Sequence, residues 1–125
     1  MTYRTVLTVA AVLSFLFGIG FMLMPGQVSS LYNVELDESG RYIAQLYGAT
    51  LFSFGLLNWF ARDFGGGSVQ RSVLNANALA AALGFVFSLM AQLGGVPGAN
   101  ALGWSTVGLY LLLALGFGYV RLMRA

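Results

Sequence analysis

Four runs of about twenty residues free of Asp, Glu, Lys and Arg constrain this chain more than any other feature it has. They cover about residues 5–24, 42–61, 72–93 and 101–120, and every charged side chain lies outside them. A helix of that length crosses a hydrocarbon core of about 30 Å. Only 8% of the residues are charged and 58% are hydrophobic, whereas soluble domains carry about 25% charged residues. The expected fold is all-α: an integral membrane, antiparallel four-helix transmembrane bundle forming one domain over residues 1–125.

The second run has the most informative face. Steps of four and three residues through RYIAQLYGATLFSFGLLNWFARD give Arg41, Gln45, Gly48, Phe52, Gly55, Trp59 and Arg62 on one side of a helix. Polar groups sit at its ends and glycines in its middle, so a neighbouring helix can approach closely there. The third run adds a ridge of small residues, Ala76, Ala80, Gly84 and Ser88, and the fourth adds Gly108 and Gly116. Steps of four drift around a helix, so no single neighbour is expected to meet the whole Ala76 to Ser88 ridge.

The first run follows Arg4 but is too long for a signal-peptide core and lacks an A-x-A site, so it reads as a retained helix ended by Pro25 and Gly26. The segment Gln27 to Gly40 reads either as a short amphipathic helix at the interface between helices 1 and 2 or as an acidic loop in water. Phe64 to Arg71 and Gly94 to Asn100 read as glycine-rich turns.

Arg4, Arg62, Arg71, Arg121 and Arg124 fall on one side of a four-span topology and Arg41 alone on the other. Basic residues in short loops favour the cytoplasmic side, which puts both termini in the cytoplasm of a multi-pass bacterial inner-membrane protein. The net charge of +2 comes from these few residues and offers no nucleic-acid surface.

With no histidine and no cysteine, the commonest general base, metal ligands and thiolate nucleophile are missing. No phosphate loop, zinc-protease or nucleophile-serine motif is present. No metal site and no catalytic set is expected. At the outer ends of helices 2 and 3, Glu38, Arg41, Gln45 and Gln92 form the candidate ligand site, where Arg41 would hold an anionic or carbonyl-bearing head group. The competing reading is an Arg41 to Glu38 pair with Gln45 and Gln92 bonded between helices. At the inner end Asn58, Trp59, Arg62, Asp63, Arg71, Asn75 and Asn77 gather around the glycine loop, and only one of Asn75 and Asn77 is expected to face the core. That cluster reads as a head-group site or as snorkelling arginines with asparagines at helix ends.

Pro25, the SSLYNVELDESGRY stretch and the rhythm of Arg41, Gly48, Ala49, Gly55, Leu56 and Leu57 resemble the small four-helix bacterial membrane proteins of the DoxX-like group. The resemblance implies an accessory membrane subunit, in some members linked to redox or quinone complexes, and transfers no catalytic residue. The expected function is thus a non-catalytic accessory or structural subunit packing against a larger membrane complex or itself. The alternative is a lipid- or quinone-binding carrier, and a bound lipid, quinone or pigment is compatible with the sequence. Membrane lipids are the expected surroundings.

Overall fold

The structure, a computed structural model, describes residues 2–31, 35–94 and 101–123, with side chains omitted for 101–103. Tyr32, Asn100, Arg124 and the turn 95–100 lie outside the described residues. Among the described residues five helices follow in order: α1 (Tyr3–Leu23), α2 (Pro25–Leu31), α3 (Glu38–Ala61), α4 (Gly67–Leu93) and α5 (Ala101–Met123). The described residues contain no strand.

The helix starts follow local chemistry. Thr2 caps α1, its side chain accepting from the Thr5 N–H, and Asp37 caps α3, with the Gly40 N–H donating to Oδ1 at 2.6 Å. Pro25 opens α2, where its missing N–H costs nothing. Proline therefore both ends the first apolar run and begins the short segment after it. The glycine turn is tighter than the sequence suggests, because α4 already starts at Gly67 and takes in Ser68 to Arg71. Gly66, at φ 90°, supplies the left-handed residue before it.

The long helices pack as two antiparallel pairs, α1 with α3 and α4 with α5. Between α1 and α3 the backbones approach so closely that a Cβ on Gly48 would lie 2.7 Å from the Gly18 carbonyl oxygen. A Cβ on Gly18 would lie 2.8 Å from the Phe52 nitrogen. Phe15 fills the space over Gly55 and packs against Phe52 and Trp59, with ring centroids 5.1 and 6.2 Å apart. Arg62 lies over the Trp59 ring, 3.4 Å from its centroid, as a cation–π contact. The face from Arg41 to Arg62 is thus the seam against α1.

The pairs join at one end of the molecule. There Tyr3, Val6, Leu7, Ala10, Leu74, Phe117 and Val120 form the buried core. The Tyr3 hydroxyl donates to the Ala61 carbonyl at 2.7 Å, Arg4 pairs with Asp63, and Arg121 Nε donates to Asn75 Oδ1 at 2.9 Å. On α4 the inward residues are Leu74, Asn77 and Ala81, and Ala76 faces out.

Among the described residues three helices are long and apolar enough to cross a membrane: α1, α4 and α5 from Trp104 onward. The expectation was four. At 24 residues α3 has the length, about 36 Å, but its polar side chains lower its hydropathy. Those side chains are bonded within the protein: Thr50 to the Leu46 carbonyl, Ser53 to the Ala49 carbonyl, and Gln45 to the Met22 carbonyl.

Candidate ligand-binding site

Where the two pairs separate, they leave a cleft of about 480 Å³, within the ~300–1,000 Å³ typical of small-molecule sites. All four long helices line it. α1 contributes Ala10, Leu13, Ser14, Phe17 and Phe21, and α3 contributes Tyr47, Thr50, Leu51 and Phe54. From the other pair come Asn77, Ala80 and Ala81 on α4 and Thr106, Leu109, Tyr110, Leu113 and Phe117 on α5. On α3 this face lies about 100° around the helix from the glycine seam. One helix therefore packs with one side and lines a cavity with the next.

The floor is closed by a reciprocal amide pair. Asn58 Nδ2 donates to Asn77 Oδ1 at 3.1 Å, and Asn77 Nδ2 donates to Asn58 Oδ1 at 2.8 Å and to the Val73 carbonyl at 3.0 Å. Both asparagines are buried, and the pair ties α3 to α4. Of the two asparagines between which the sequence does not choose, Asn77 is the inward one and Asn75 is exposed. The mouth carries Tyr47 and Tyr110, whose hydroxyls lie 3.3 Å apart. Tyr47 rests edge-on against Phe21, centroids 5.3 Å apart. Tyr110 lies against Gly84, where a Cβ would collide with its ring. Gly84 is the seat of that ring.

The outer residues singled out from sequence lie elsewhere. Glu38, Arg41 and Gln45 line an open groove of about 900 Å³ with Pro25, Gly26, Gln27, Ser30, Glu35, Leu36 and Tyr42. Gln92, near the end of α4, is not among the residues lining it. Gln45 Nε2 instead reaches the Met22 carbonyl at 3.3 Å. Among the described residues no ion pair joins Arg41 to Glu38. The groove mixes one guanidinium with two carboxylates and stands open to solvent. It lacks the enclosure of the cleft.

Of the small residues, Gly48, Gly55 and Gly84 each face atoms that a Cβ would crowd. Ala80 lines the cleft, Ser88 bonds to the Phe85 carbonyl at 3.2 Å, Gly116 is half-buried, and Gly108 has nothing within 4 Å of a Cβ. Sequence reasoning passed over Gly18, the partner of Gly48, and the cleft tyrosines. One signal was available for Tyr110, which sits near the middle of an apolar run instead of in an interfacial belt.

The described residues hold no group of three His, Cys, Asp or Glu able to bind a metal. What the fold and cleft define is an all-helical protein with three helices apolar enough to cross a membrane and an aromatic cavity between two helix pairs. A family model matches residues 2–119, and the chain belongs to that family, described as a domain of unknown function, DUF8292. Searches of curated proteins and of solved structures returned no match.

Proposed function

We propose that this protein is a non-catalytic four-helix transmembrane protein that holds a hydrophobic, tail-bearing molecule in the cleft between its helix pairs. The observation that carries this reading is the cleft itself, preformed, lined by aromatic rings and edged by a few hydroxyls. α3 is the fourth span in this proposal. Its hydroxyls and amides are bonded internally, as a helix in hydrocarbon requires. Arg4, Arg62, Arg71 and Arg121 mark the cytoplasmic end and Arg41 the outer end, in the cytoplasmic membrane of a bacterium. We extend the proposal to kinship with the DoxX-like group, because the glycines of that resemblance are the ones at the α1 seam.

Native mass spectrometry in mild detergent tests the reading. The wild-type protein should carry a molecule of defined mass, and Ala80→Trp, which fills the cleft, should release it. A wild-type protein that carries only exchangeable bulk lipid would refute the assignment.

A second reading, an accessory subunit, is favoured by Gly108 and Gly118, which leave open space before the α5 backbone, and by outward-facing Ala76. Small residues of this kind admit a foreign helix closely. In that case the same spectra should show the protein travelling with another chain.

A further inference from the structure

Resting on the cleft-binding reading, we infer that the ligand is an uncharged, tail-bearing lipid whose head presents a carbonyl oxygen to the Tyr110 hydroxyl. Among the described residues no charged side chain lines the cleft, so none of them would offset a buried carboxylate, phosphate or ammonium. An uncharged molecule is what such a wall accepts.

The position of the head follows from where hydrogen-bonding capacity remains. At the floor Asn77 has spent both amide hydrogens and its carbonyl oxygen accepts from Asn58. Thr50 donates to its own helix. Ser14 is a lone hydroxyl on the wall. At the mouth two hydroxyls from different helix pairs converge, those of Tyr47 and Tyr110. Their separation of 3.3 Å exceeds the ~2.7–2.8 Å usual for O–H···O bonds, so the contact is weak and a better acceptor can replace it. Tyr110 has Tyr47 as its one hydrogen-bond partner among the described residues. A carbonyl oxygen that takes the place of Tyr47 in this contact accepts the Tyr110 proton.

The length of the tail follows from the register. From Ala10 to Phe21 on α1, and from Thr106 to Phe117 on α5, the lined stretch is about 16 Å. That is about half a hydrocarbon core of ~30 Å, the depth of one leaflet. Head and tail together fill this stretch, and the tail takes the ~10 Å from Tyr110 down to Phe117. A quinone ring and an ester-linked glycerol both offer the required carbonyl, and the choice between them is made by experiment.

Four probes are added to delipidated protein in detergent and retention is read by native mass spectrometry: a decyl-substituted benzoquinone, monoolein, hexadecane and palmitate. Wild type should retain the quinone or monoolein, and whichever is retained identifies the source of the carbonyl. Tyr110→Phe keeps the ring on its Gly84 seat and removes only the hydroxyl. It should weaken the carbonyl probe about three- to tenfold and leave hexadecane unchanged. Gly84→Ala, which displaces the ring, should weaken the same probe at least as much, and both variants are compared with wild type by helical circular dichroism. Hexadecane bound alongside carbonyl probes that ignore Tyr110→Phe would overturn the inference while leaving the cleft reading intact. So would preferential retention of palmitate. If no probe binds, hexadecane included, the cleft reading itself fails and the inference falls with it.

Discussion

Replacing Gly48 by alanine adds one methyl group at the tightest point between α1 and α3. The new Cβ would lie 2.7 Å from both the Gly18 carbonyl oxygen and the Met22 nitrogen, and 2.8 Å from the Phe21 Cβ. Two of these neighbours are backbone, so no side-chain rotation relieves the clash. Restoring an ordinary contact of 3.4 Å moves the helices apart by roughly 0.7 Å, within the ~0.5–1 Å range where packed atoms lose a quarter to a half of their attraction. Overpacking of this kind costs about 1–3 kcal/mol. The control is the same substitution at Gly118, where nothing lies within 4 Å of a Cβ. Both variants share alanine's helix-propensity gain of up to ~1 kcal/mol, so the difference between them isolates the clash. Unfolding in mixed micelles, followed by helical circular dichroism against increasing SDS, should show Gly48→Ala less stable than Gly118→Ala by about 1–3 kcal/mol. Equal midpoints for the two variants would refute the close approach of these helices.

The amide pair predicts strong non-additivity. Asn58→Leu alone strands the Asn77 amide and should cost about 1–3 kcal/mol, whereas Asn58→Leu with Asn77→Leu should recover most of it in the same micelle titration. The Arg4–Asp63 pair is more than half exposed on both sides, so Asp63→Asn should change stability by less than ~1 kcal/mol.

How far the sequence could be read depended on the range of each interaction. The α3 seam was legible because it is written in one helix: glycines and aromatics at steps of four and three name their own face, and α1 lies along it. Gln45 and Gln92 show the opposite case. Each sits near the outer end of an apolar run, yet which polar group Gln45 meets depends on how the pairs are turned, and it meets Met22. The cleft was not legible at all. It arises where two pairs fail to close on each other, a property of relative placement that no single run encodes. The α4 ridge was half legible, since steps of four name small residues, but burial follows the three-and-four path through Leu74, Asn77 and Ala81.

The pairing of α1 with α3 and of α4 with α5 also bears on how the chain is made. Each pair joins neighbours along the sequence, so its contacts are local and its loop cheap to close. Both helices of the first pair are complete once Ala61 has been synthesised, before any residue of α4 exists. The second is likewise complete in itself. Assembly then reduces to docking two finished hairpins, and the Asn58–Asn77 clasp is a bond that only this last step can form. A chain halted before α4 would leave Asn58 without the amide that answers it, a built-in mark of an unfinished molecule.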